Sequence, residues 1–213
     1  MQTTYIETQQ ISFQDFKNQI LNDYKLGRIS REMSYLGRRE VLTGKAKFGI
    51  FGDGKELPQL AMAKVFKNGD FRSGYYRDQT FALAVDALSV ESFFAQLYAD
   101  TSVEREPASA GRQMNGHFAT RSLNVDGSWK DLTAQKNISS DISPTAGQMP
   151  RLLGLAQASK IYKSVKFEGS EKFSKEGNEI AFGTIGEAYT AEGQFWETLN
   201  ADCALQIPII DSI

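Results

Sequence analysis

The stretch Ile180-Ala181-Phe182-Gly183-Thr184-Ile185 runs into Gly186-Glu187-Ala188-Tyr189-Thr190-Ala191-Glu192-Gly193, and then into Gln194-Phe195-Trp196-Glu197-Thr198-Leu199-Asn200. The apolar run predicts a strand at 179–184. The residues after it predict a helix over about 192–204, and Ile207-Pro208-Ile209-Ile210 reads as a further strand. Strand, helix and strand in alternation predict an α/β fold with a parallel sheet. Ligands of such sheets bind beyond the carboxyl ends of the strands, and Glu187 falls just there. A carboxylate at that point can hold a magnesium ion, which takes oxygen ligands at about 2.1 Å and often shares them with a diphosphate. Gly186 permits close backbone approach. The amides opening the next helix can face anionic oxygens. A plain loop, with Thr190 as the helix cap and an acidic first turn, fits the same residues. The pattern alone leaves both readings open.

Upstream, Phe13, Phe16, Ile20 and Tyr24 recur at helical spacing behind Ser12, which predicts a helix over 12–27 capped by Ser12 and stopped at Gly27. Arg31–Leu42 reads as a second helix with a solvated basic face. Helices are also expected at Leu57–Phe66, with Pro58 in the first turn, at Ser89–Tyr98 and at Gln148–Tyr162. Asn68-Gly69-Asp70 is a turn, and Phe71–Tyr76 a short extended piece. Residues 101–141 are rich in Ser, Asn, Asp and Gly and lack a period, so they read as a long loop. Lys163–Gly177 reads as a charged, exposed connection.

A chain of 213 residues can bury a sizeable core. Its net charge of −2 gives no general attraction to nucleic acid. Cys203 is the only cysteine, which excludes an internal disulfide and suits a reducing cytoplasm. Its apolar helical setting predicts a core position. No run approaches the roughly 20 apolar residues of a membrane span, and the first residues lack the basic-then-apolar order of a signal peptide.

Three further places could carry chemistry. Gly52-Asp53-Gly54 imitates a phosphate turn, but Lys55-Glu56-Leu57-Pro58 follows it, so it reads as the turn into a helix. Gly74-Tyr75-Tyr76-Arg77-Asp78 sets a guanidinium beside two phenols, and arginine matches phosphate with two parallel hydrogen bonds. An aromatic turn with an exposed salt bridge is the simpler account of it. His117, the only histidine, ends Gly111-Arg112-Gln113-Met114-Asn115-Gly116-His117 in the long loop. There it is either available for proton transfer or an ordinary surface residue.

Taken in order, Gly74–Thr80, Gly111–His117, Ile142–Pro150 and Gly183–Pro208 resemble the α (diphosphate-binding) part of the thiamin diphosphate-dependent first component of 2-oxoacid dehydrogenase complexes. The likeness is greatest to the branched-chain (2-oxoisovalerate) type, including bacterial forms that fuse α and β parts. It covers about Gly37 to Ile210. The resemblance implies a thiamin diphosphate-binding domain at 37–213 behind an N-terminal helical segment at 1–36. It implies that Tyr76 and Arg77 grip the cofactor diphosphate and that Ser143 and Thr145 line its middle. Gly186 and Glu187 would start the cofactor motif, usually Gly-Asp-Gly, with Glu187 as the magnesium ligand; Ala188 and Tyr189 replace its usual small pair. Ser143, Pro144 and Gln148 would lie in a stretch that in some members binds potassium, and His117 would stand near the active-site entrance.

The implied activity is decarboxylation of a 2-oxoacid, a branched-chain one favoured over pyruvate or acetoin, with acyl transfer to a lipoyl acyltransferase. The implied partners are that acyltransferase, a β (pyrimidine-binding) part and the 2-oxoacid, in an oligomer, with neither nucleic acid nor membrane. The family's second metal ligand follows the strand after the motif, whereas this sequence reaches Asp211-Ser212-Ile213. The expectation is therefore a C-terminally truncated domain with an incomplete sheet, little or no decarboxylase activity alone, or a non-catalytic assembly role. An unrelated nucleotide binder is the remaining reading, and no Gly-x-Gly-x-x-Gly follows a strand to support it.

Overall fold

The computed structural model describes residues 11–213. Its first element is one unbroken helix, α1, over Phe13–Leu42. Ser12 caps it as expected, its hydroxyl oxygen accepting from the Asp15 amide at 3.1 Å. Gly27 does not stop it, and the two predicted helices are one. A glycine inside a helix costs only about 1 kcal/mol, which tertiary packing offsets here. The C-terminal half of α1 buries Ser30, Met33, Ser34, Gly37 and Glu40, one face at helical spacing. The helix passes without interruption through residues 36 and 37.

Helix α2 (Glu56–Val65) carries Pro58 in its first turn. Strand β1 (Phe71–Ser73) is shorter than the predicted extended piece, because Gly74 onward turns into α3 (Gln79–Ala84), a helix the sequence reading lacked. Helix α4 (Val90–Leu97) opens with a reciprocal hydrogen-bonded pair between Ser89 and Ser92. The long irregular region contains β2 (Asn137–Ile138). Two residues show no period, so this strand was not legible. It is fixed by the Asn137 side-chain amide, which donates to the Leu132 carbonyl at 2.8 Å. Then follow α5 (Gln148–Ser164), β3 (Ala181–Thr184), α6 (Gly193–Leu205) and β4 (Ile209–Ser212).

The strands are parallel and lie in the order β2-β1-β3-β4. Phe71 pairs with both Asn137 and Ala181, and Ala181 with Ile209. The pleat of β3 separates two cores. Phe182 enters an aromatic cluster with Phe66, Phe81 and Phe93, beneath α1 to α4. Ala181 enters a cluster with Leu152, Ala156 and Phe195, beneath α5 and α6. The architecture is thus the expected parallel sheet with helices on both faces. Cys203, however, is exposed. Helix α6 buries Phe195 and Thr198, and Cys203 lies off that face. Helix α5 buries Met149, Leu152 and Ala156, whereas Ile161 is exposed. Among the described residues, no helix is long and apolar enough to cross a membrane.

Candidate functional site

Connections from β1 to β2 and from β3 to β4 leave in opposite directions, so the crevice of the sheet opens between β1 and β3. The loop 74–78 follows β1, and Gly186-Glu187 follows β3. Together they flank this crevice at the carboxyl ends of the strands.

The loop after β1 places Tyr75 and Tyr76 in contact, ring centroids 4.2 Å apart, with the Tyr75 hydroxyl donating to that of Tyr76 at 3.0 Å. The Arg77 guanidinium lies 5.7 and 5.5 Å from the two ring centroids. Its Nε is buried and has no hydrogen-bond partner. Tyr189, from the loop after β3, meets the Tyr75 ring edge-on at 5.2 Å. A side chain added at Gly186 would approach the Tyr75 hydroxyl at 3.6 Å. The phenol–guanidinium group and the Gly186 turn therefore form one cluster. Burial, then the hydrogen bond with Tyr76, pushes the Tyr75 phenol up to about 12. Burial, then the neighbouring Tyr75, pushes Tyr189 up as well. Both phenols keep their protons at neutral pH and remain hydrogen-bond donors.

Asp78 does not form the exposed salt bridge that the sequence suggested. It is buried and joins Arg72, whose side chain is 1% exposed, at 2.5 Å. Asp78 Oδ2 also accepts from the Tyr75 amide at 3.0 Å and from the Thr184 hydroxyl at the end of β3. Arg72 reaches a second carboxylate, Asp141, at 3.0 Å. Burial raises the Asp141 carboxyl to about 6 although Arg72 opposes it, and neighbouring Asp78 adds to the rise.

His117 is buried and is not the surface residue of the simpler account. Its Nδ1 lies 2.9 Å from the Met114 carbonyl and must carry the proton there. Nε2 is then the acceptor, 3.1 Å from the Ser143 hydroxyl. A side chain at Gly116 would meet the Tyr76 carbonyl at 2.7 Å, so the His117 loop lies directly on the Tyr76 loop. Gly52, in the turn that imitates a phosphate site, abuts the Arg77 carbonyl in the same way. Asp53 of that turn pairs with Arg38 at 2.6 Å, which agrees with a structural role.

Glu187 is exposed and opens a short 3-10 turn, Glu187–Ala191. Helix α6 begins only at Gly193, with Glu192 preceding it, so Thr190 is not its cap; the Thr190 hydroxyl donates to the Glu187 carbonyl at 2.7 Å. Ala188 and Thr145 are exposed, and the Thr145 carbonyl accepts from Gln194 at 2.5 Å. The Gln148 amide donates to the Thr184 carbonyl at 3.1 Å, and the Pro144 carbonyl accepts from the Gly147 amide at 3.0 Å. Among the described residues, no three His, Cys, Asp or Glu side chains gather to hold a metal unaided. A metal here would rely on a single carboxylate and on oxygens brought by its ligand.

The family model of the dehydrogenase E1 component matches residues 24–213. The chain belongs to the dehydrogenase E1 component family. This is a family of thiamin diphosphate-dependent oxidoreductases that act on 2-oxoacids. The chain is also similar to the 2-oxoisovalerate dehydrogenase subunit alpha of Bacillus subtilis (strain 168), 27% identical over 184 residues, covering 86% of this chain and 46% of that one. It thus spans about half the length of that relative. Of the residues singled out in the sequence, Tyr76 and Arg77 lie on the loop after β1, Glu187 lies on the loop after β3, and His117 meets Ser143 beside them; sequence reasoning missed the buried set Arg72, Asp78, Asp141 and Thr184. An arginine between Phe71 and Ser73, in a strand bound for the middle of a sheet, was the available signal.

Proposed function

We propose that the crevice between β1 and β3 holds the diphosphate of thiamin diphosphate together with a magnesium ion. The chain would contribute this half of the active centre to decarboxylation of a 2-oxoacid. The observation that carries the reading is the cluster of Tyr75, Tyr76 and Arg77 against the Gly186 turn, with a buried, unpartnered Arg77 Nε, at the carboxyl edge of the sheet. An anionic ligand with several oxygens satisfies such a donor. Arg77 and Tyr76 would hold the diphosphate, Glu187 would give the magnesium its one carboxylate, and Ser143 and Thr145 would border the middle of the cofactor. A single protein carboxylate suits magnesium, which is commonly bound by one or two carboxylates and substrate phosphates.

When bound, thiamin diphosphate supplies a nucleophilic thiazolium carbon and a sink for the electrons released with carbon dioxide. The residues of this chain orient, neutralise charge and place protons. His117 takes a fixed tautomer from the Met114 carbonyl and presents Nε2 as an acceptor toward the Ser143 hydroxyl. The similarity to a 2-oxoisovalerate dehydrogenase subunit favours a branched-chain 2-oxoacid as substrate. A β part that activates the cofactor ring, and a lipoyl acyltransferase that takes the acyl group, complete the proposal. The 213-residue chain alone is then expected to bind cofactor without turning over 2-oxoacid.

Calorimetric titration with thiamin diphosphate, with and without magnesium, tests this. Magnesium-dependent binding that disappears in Glu187→Ala, in a variant that melts like the wild type, is the expected result. Binding by wild type that does not depend on magnesium, or no binding, refutes the assignment.

A further inference from the structure

We propose that Arg72 is a positioning residue that locks the three loops of the candidate site into one arrangement. The inference deepens the proposed function and rests on it for the identity of the ligand. Arg72 occupies β1, an interior strand, where an apolar residue is the usual occupant. Its guanidinium instead fans out to acceptors on the surrounding loops. Nη2 donates to the Tyr75 carbonyl and to Asp78, each at 2.5 Å, and Nε donates to Asp78 at 3.0 Å. Asp141 completes the set as an ion pair at 3.0 Å, without a hydrogen bond. Asp78 carries the linkage onward to the Thr184 hydroxyl and the Tyr75 amide.

Each contact falls beside a residue assigned to the ligand. Asp78 directly follows Arg77. Asp141 precedes Ser143 by two residues, and Thr184 precedes Gly186 by two. The chain Asp141–Arg72–Asp78–Thr184 therefore ties together the carboxyl ends of β1, β2 and β3. A buried charge network of this kind adds little stability over a well-packed apolar core. Its geometric effect differs: one planar, five-donor group fixes the mutual positions of three loops. An apolar residue at position 72 could fill the space but could not orient them.

The experiment uses the full chain in two measurements. In the first, hydrogen exchange of the ligand-free protein is followed for wild type, Arg72→Met, Arg72→Lys and Thr184→Val. Arg72→Met is expected to speed exchange at 74–78, 140–145 and 184–189 together, by about tenfold or more, while α4 and the C-terminal half of α1 stay near wild type. Arg72→Lys should retain part of the protection. Thr184→Val removes the Thr184 links to Asp78 and to the Tyr75 amide and little volume, so it should speed exchange at 184–189 and at the Tyr75 amide but not at 140–145. Should Arg72→Met fail to fold, this mild variant decides: unchanged exchange at 184–189 overturns the proposal. Exchange that rises only around β1, or evenly over the whole molecule, also overturns it.

In the second measurement, binding of thiamin diphosphate and magnesium is titrated. Arg72→Met should weaken it by about tenfold or more, with partial recovery in Arg72→Lys. Wild-type affinity in Arg72→Met overturns the proposal. Absence of binding by the wild-type chain refutes the cofactor assignment instead, and the exchange pattern then decides the positioning role by itself.

Discussion

Replacing Asp141 by Asn should make the protein more stable at pH 8, with about two-thirds of that gain lost by pH 4.5. The Asp141 side chain is fully buried, with both carboxylate oxygens lacking hydrogen-bond partners. Arg72 already serves Asp78, so two carboxylates share one guanidinium. Burial holds the Asp141 carboxyl at about 6, against about 3.9 in an unfolded chain. The folded state thus binds the proton more tightly than the unfolded state. Below about pH 4 both states are protonated and the group contributes no pH dependence. Between about 4 and 6 the unfolded state releases its proton first, so stability falls as pH rises. Above about 6 the full penalty is present, about two units at 1.36 kcal/mol each, or on the order of 3 kcal/mol. Asn has the shape of the protonated carboxyl, keeps an acceptor for Arg72 and does not titrate. Urea unfolding, followed by the fluorescence of Trp129 and Trp196 from pH 4.5 to 8, should show the variant gaining on wild type through this window. The gain corresponds to roughly 6–12 °C in melting temperature for a chain of this size. A difference independent of pH, or a wild type that gains on the variant as pH rises, refutes the account of a strained, underpaired carboxylate.

Other expectations are simpler. Gly27→Ala should stabilise the protein by about 1 kcal/mol in urea unfolding, because an added methyl would sit 3.7 Å from Leu60 and 3.8 Å from Glu56, ordinary contact distances inside a helix. Gly116→Ala should cost about 1–3 kcal/mol and weaken cofactor binding, since Gly116 has φ +88° and its new methyl would press on the Tyr76 carbonyl at 2.7 Å. Wild-type affinity in that variant would show that the His117 loop does not brace Tyr76. Leu152→Ala, at a residue with no exposed surface under β3, should cost about 2–5 kcal/mol in thermal or urea unfolding.

The last third of the fold was legible because β3, α6 and β4 each show a clear period or apolar run, and alternation alone implies a parallel sheet. The α1 error has a definite origin. Gly27 looks like a stop, and only the α2 side chains packed against it show why the helix continues. Strand β2 was invisible because two residues cannot display a period. At the candidate site, Arg77 and Glu187 stand out in the sequence by local chemistry alone. Arg72, Asp78, Asp141 and Thr184 do not, because each acts through partners distant in sequence: Thr184 lies 106 residues from Asp78. The buried state of His117 was likewise set by Gln96 and Ser143, on other elements.

Helix α1 outruns the body it packs on. All its residues before Asp23 are exposed, and the ion pair of Asp23 with Lys64 marks where it meets α2. Fraying from the Phe13 end therefore sacrifices backbone hydrogen bonds but almost no packing. One continuous rod then spans two cooperative units: a first half whose amides open at little cost, and a second half that opens only with the core.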